Sequence, residues 1–125
     1  MSAQNKPASF RDLLVWQKGI ALAKIVYQLT SVFPADERFG LVSQMRRAAV
    51  SIPSNLAEGQ ARHTTGEFIQ FISHAEGSVA ELETQILLSI ELGLLQKPAA
   101  ADALTLLLEL RKMLNALRRT LAARH

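Results

Sequence analysis

The side chains able to do chemistry in this chain are fourteen Lys/Arg, eleven Asp/Glu and three His; there is no cysteine. Without cysteine there is no disulfide scaffold, no thiolate metal site and no thiol nucleophile. Carboxylate-bridged metals in helical bundles need inward glutamates and Glu-x-x-His pairs. His63, His74 and His125 are preceded three residues earlier by Gln60, Phe71 and Ala122, so that pattern is missing. Glu76 and Glu83 stand seven apart and share a helix face, a carboxylate pair without histidines. His74 reads as a helix-surface or interface residue. There is no Gly-x-x-x-x-Gly-Lys cradle, no Gly-x-Gly-x-x-Gly turn and no Gly-x-Ser-x-Gly elbow. The expectation is a protein that is not an enzyme, with no metal, no cofactor and no small-molecule substrate.

What remains is charge, and it is segregated. Residues 1–62 carry eight Lys/Arg against four acids, residues 63–95 carry five glutamates and no Lys or Arg, and residues 96–125 carry six basic residues against two acids. The net charge of +3 therefore hides an acidic segment between basic neighbours. Two readings are open. Glu76, Glu81 or Glu83 can pair arginines of adjacent helices or subunits, each exposed pair contributing little. Alternatively Arg46, Arg47, Arg62, Arg111, Arg118, Arg119 and Arg124 form a basic surface for phosphates, binding RNA or DNA with little base reading. Repetition by symmetry would turn such a patch into a ring that binds by avidity.

The stretch from Gln44 to Gly59 is the richest in information. Helical spacing puts Arg47, Ser51, Ser54 or Asn55, Glu58 and Arg62 along one side. Ser51 and Asn55 can satisfy backbone groups disturbed by Pro53, and Glu58 can pair with Arg62 four residues on. The first expectation is a structural polar network of Ser51, Asn55 and Glu58; a binding groove is the second.

The elements that must position these residues are helical. The chain has 125 residues, 49% hydrophobic, 20% charged and 6% aromatic, a globular profile of one domain. With so few aromatics, recognition by stacking on an aromatic sheet is not the expected mode. Residues 1–9 are polar and read as disordered or extended, ahead of one domain over 10–125. Ser9 and Asp12 approximate a capping box for a first helix over about 10–32, with Leu13, Trp16, Ile20, Ala23 and Tyr27 on one face. Phe33-Pro34 ends it. A second helix over about 40–61 carries Leu41, Met45, Ala48, Ile52 and Leu56. Pro53 interrupts it, as one kinked helix or two shorter ones, and the in-phase stripe favours the kink. Thr64 and Glu67 cap a third helix with Phe68, Ile72, Ala75, Val79, Leu82, Ile86 and Ile90 in phase to a stop at Gly93. Gly59 and Gly66 read as helix ends, and Gly77 as a point of close helix approach. The fourth helix starts at Pro98 with Leu107, Leu110, Leu114, Leu117 and Leu121 in its stripe. Short connections make neighbours antiparallel. The fold class is all-α, an antiparallel up-and-down four-helix bundle with a second helix kinked at Pro53.

The first helix has a second apolar group, Val15, Leu22, Ile25, Val26 and Leu29, roughly opposite the Trp16 stripe. The fourth adds Leu104, Leu106, Leu108 and Met113. A thick core with some exposed leucines is one account; a homo-oligomer with Val15, Leu22, Ile25, Val26, Leu29, Leu106 and Met113 at its interfaces is the preferred one. No apolar run is long enough to span a bilayer and the first residues do not form a secretory signal, so a cytoplasmic protein without a membrane partner is expected.

The pattern Leu14-Val15-Trp16-Gln17, Phe33-Pro34, the block from Gln44 to Gly59, and Gly77-Ser78 with Glu81-Leu82-Glu83 resembles the four-helix bundle family named after the 23S ribosomal RNA intervening-sequence protein. The likeness covers roughly residues 10–95, and its Arg-Arg-Ala-Ala-Val-Ser-Ile-Pro-Ser-Asn-Leu-Ala-Glu-Gly block is the most specific part. The resemblance implies an up-and-down bundle assembling as a homopentamer, with no established activity and no catalytic residues to carry over. Related bundle proteins serve as accessory factors of diversity-generating retroelements and are thought to bind nucleic acid through a basic surface. The fourth helix matches only as leucine-rich. An oligomeric scaffold that binds another protein, with no nucleic-acid role, is the alternative function.

Overall fold

The computed structural model describes residues 9–124. The expected extended segment thus lies outside the described residues except for Ser9, as does His125. Four helices follow one another: α1 (Leu14–Thr30), α2 (Ser43–Gln60), α3 (Thr65–Glu91) and α4 (Lys97–Arg124). There is no strand among the described residues. Each helix packs on the next and α4 closes on α1.

The register is antiparallel throughout. On the α1–α2 seam Gly19 lies against Pro53, while Thr30 meets Arg46. On α2–α3 the Ser51 hydroxyl bonds that of Ser78, and Met45 meets Ser89. On α3–α4, Arg111 pairs with Glu83 and Arg118 with Glu76, two steps of seven in opposite directions. The bundle is the expected up-and-down one.

The helix ends follow local chemistry. The Ser9–Asp12 box is present, but it caps a single 3-10 turn, Phe10–Asp12, and α1 begins only after the extended Leu13. Residues 38–42 form a wide turn broken at Gly40, and the Glu37 carboxylate accepts the Leu41 N–H at 3.3 Å. For that reason α2 starts at Ser43 and not at Gly40. It then continues through Pro53 to Gln60 as one helix. At α3 the Thr64 hydroxyl accepts the Glu67 N–H at 3.1 Å. Gly93 ends it with φ +76°, a left-handed conformation that suits a residue without Cβ. The Leu94 N–H then donates to Ser89 and the Gly93 N–H to Ile90, satisfying carbonyls the helix leaves open.

The stripes of α2 and α3 fill the core as expected, with Met45, Ile52, Leu56, Ile72, Leu82 and Ile86 fully buried. Leu107, Leu110 and Leu114 of α4 join them, while Leu117 and Leu121 are half-buried. On α1 the two apolar faces are exchanged relative to expectation. Val15, Leu22 and Val26 point into the core at 4%, 0% and 0% exposure, so within the chain they are not available as an interface. Ile25, Leu29, Leu106 and Met113 are half-buried against the same core. The Trp16 stripe lies on the flank, with Ile20 38% and Tyr27 46% exposed. Both α1 faces have helical spacing, so periodicity alone could not choose. The choice is made at Gly19, where a Cβ would come within 3.3 Å of the Pro53 ring. Its bare backbone lets that side of α1, the Val15 side, seat against α2.

Gly77 also differs from expectation, whereas Gly59 and Gly66 stand at helix ends, in the last turn of α2 and the first of α3. Gly77 is exposed, and a Cβ there would meet nothing within 4 Å, so it is not a point of close approach within the chain. Gly59 is; its Cβ would sit 2.7 Å from that of Phe71. It lies in the last turn of α2 and lets α2 and α3 converge just before their connection.

Candidate functional site

The seven candidate arginines do not gather into one patch. Arg111 pairs with Glu83 at 3.4 Å, and Arg118 with Glu76 at 3.1 Å while also bonding Asn115 at 2.7 Å. Arg62 stands 4.0 Å from Glu58 and covers the Phe71 ring at 4.7 Å. Arg111 and Arg118 belong to the neutralisation reading, and Arg62 makes the pair with Glu58 expected four residues back on its own stretch. Arg119 and Arg124 are exposed on the last turns of α4 and make no ion pair with a described residue.

Arg46 is different again. Its Nε donates to the Thr30 hydroxyl at 2.9 Å, another guanidinium N–H to the Tyr27 carbonyl at 3.4 Å, and its guanidinium carbon lies over the Tyr27 ring, 4.4 Å from the ring centre. Thr30 is buried and donates in turn to the Val26 carbonyl at 2.8 Å. The positive group thus closes the last turn of α1, where the helix dipole is negative.

Beside Arg46 the structure opens a groove of about 690 Å³ between the Tyr27 end of α1, the wide turn and the outer face of α2. Arg38, Arg46 and Arg47 line it, with Ser51, Ser54 and Asn55 further along and Glu58 at the far end. Arg38 and Arg47 form no ion pair with a described residue. Arg38 and Arg46 also line a smaller, more polar pocket beside Thr30 and Ser31. Three guanidinium groups against one carboxylate make the groove electropositive. Its walls include exposed apolar surface as well, from Tyr27, Phe39 and Val50.

The polar network around Pro53 is only partly formed. The Ser51 hydroxyl bonds the Ala48 carbonyl at 3.0 Å and the Ser78 hydroxyl, which ties α2 to α3. The Asn55 amide donates to the Ser51 carbonyl at 2.8 Å. Glu58 reaches Arg62 at the 4.0 Å limit and makes no bond to Ser51 or Asn55. The groove therefore coexists with the network, and the two expectations are not exclusive.

Arg38, Phe39 and Tyr27 are absent from the sequence-based set. The available signal was three arginines and a phenylalanine outside the apolar stripes within residues 38–47, immediately before and inside one helix. Among the described residues no three His, Asp or Glu side chains come close enough to hold a metal ion, and no helix is long and apolar enough to cross a membrane.

Fold and groove together define an all-α bundle with an electropositive surface cleft on one helix pair. The chain matches the model of the 23S rRNA-intervening sequence protein family over residues 11–116, and it belongs to that family. The match extends into α4, beyond the stretch that carries the likeness in the sequence. No curated protein sequence matches the chain.

Proposed function

We propose that the protein is a non-catalytic, self-associating bundle that holds RNA or DNA by its phosphates in the groove of Arg38, Arg46 and Arg47. The observation that carries this reading is the contrast among the arginines. Those of α4 facing α3 are matched to Glu76 and Glu83, whereas Arg38 and Arg47 line the groove and form no ion pair with a described residue. Unmatched guanidinium groups on a helical scaffold suit phosphate oxygens, which they grip in a bidentate fashion. Self-association would repeat the groove and multiply its affinity. The family resemblance implies five copies. Ile20 on α1, Leu87 and Leu88 on α3, Leu92 just after it and Leu108 on α4 are exposed apolar residues outside the groove that contacts between copies would cover.

The test is duplex and single-strand binding at low salt by Arg38→Glu and Arg47→Glu, with Arg111→Glu as control. The first two lose binding by tenfold or more, on the order expected for reversing a phosphate contact, and the control loses little. A wild-type protein that binds no nucleic acid at low salt contradicts the reading. A second reading, a scaffold for another polypeptide, is favoured by the aromatic and apolar walls of the same groove, since aromatic residues and arginine are enriched in protein interfaces. Pull-down recovering a polypeptide and no nucleic acid would support it instead.

A further inference from the structure

We infer that the groove takes unpaired nucleotides in preference to duplex, with one base stacked on Phe39; this rests on the phosphate-binding reading above. Phe39 is 89% exposed, more than any other large apolar side chain described, and it lines the same groove as Arg38, Arg46 and Arg47. It follows Arg38 directly in the wide turn before α2. The other ring of the groove, Tyr27, has a face covered by the Arg46 guanidinium at 4.4 Å. Phe39 has no ring or cation stacked on it among the described residues. The groove thus pairs an open aromatic face with unmatched positive charge.

Those two features together discriminate between strand states. A duplex buries its base faces in the stack and offers phosphates and groove edges, so Phe39 gains little from it. A single strand offers both phosphates and open base planes. Base–aromatic stacking beside a basic groove is the usual physical basis of sequence-tolerant single-strand binding. Every base has a π-face, so the preference would be for unpaired structure and not for sequence. One open ring per groove means one stacked base per copy.

The experiment measures anisotropy of a labelled thymidine-only strand and a labelled mixed-sequence duplex of equal length, at low salt. Wild type, Phe39→Ala, Phe39→Trp and Arg47→Glu are compared, with light scattering on each. Wild type is expected to bind the strand more tightly than the duplex. Phe39→Ala should weaken strand binding about five- to 150-fold and leave duplex binding unchanged, the range given by loss of one stacked base. Phe39→Trp should restore strand binding. Arg47→Glu should weaken both ligands. Equal wild-type affinity for strand and duplex, or strand binding that ignores Phe39→Ala, overturns the stacking inference while the Arg47 result still supports phosphate binding. A fall in particle mass with Phe39→Ala assigns the ring to contacts between copies and overturns it too. Failure of wild type to bind either ligand overturns both readings.

Discussion

At the residue scale, an arginine's neighbours decide whether it is structural or available. Arg46 is held by Thr30, the Tyr27 carbonyl and the Tyr27 ring, so its removal acts on the fold as well as on the groove. Arg46→Ala should lower unfolding stability by about 1 kcal/mol, through lost charge-assisted bonds at the end of α1; chemical denaturation reads this directly. Arg47→Ala, with no such partner among the described residues, should leave stability within about 0.5 kcal/mol of wild type. Arg118→Ala should also cost under about 1 kcal/mol, because its pair with Glu76 is partly solvated. The clean probes of the groove are therefore Arg38 and Arg47. Sequence placed Arg46 and Arg47 in one set because spacing carries no information on side-chain partners. The pairing of Glu76 and Glu83 with α4 was more legible. Both glutamates and both arginines are seven apart, which an antiparallel seam can match at two points.

At the scale of elements, α2 and α3 were readable because each has one continuous apolar stripe. α1 was not, since both of its faces have helical spacing and the decision rests on Gly19 against Pro53. The glycines give a sharp test of this packing. Gly77→Ala should stabilise the bundle by about 0.5–1 kcal/mol, because a Cβ there meets open space and alanine is the better helix former. Gly59→Ala should destabilise it by about 1–3 kcal/mol, since the new Cβ must displace Phe71 and Phe68, packed at 2.7 and 2.9 Å. Thermal unfolding of the two variants should move in opposite directions. A Gly59→Ala protein as stable as wild type would mean that α2 and α3 do not converge there. The groove was the least legible feature, because it is made where a turn, the end of α1 and the outer face of α2 meet, and periodicity describes none of these junctions.

At the scale of the molecule, the apolar surplus that suggested assembly is real, but apart from Leu108 it lies largely on other residues than those first chosen. Val15, Leu22 and Val26 fill the core, and the exposed surplus outside the groove includes Ile20, Leu87, Leu88, Leu92 and Leu108. Ile20→Glu and Leu88→Glu should each lower the particle mass towards 13.8 kDa in light scattering while leaving the helical circular dichroism intact. The proposal that matters most is that the groove arginines hold phosphates, and its most direct test is the salt dependence of binding. Each phosphate contact contributes close to one unit to the slope of log affinity against log salt. The double variant Arg38→Gln/Arg47→Gln should therefore bind more weakly at low salt, with a slope shallower by about two per groove engaged. A slope identical to that of wild type would contradict the account, because the phosphates would then be held somewhere else.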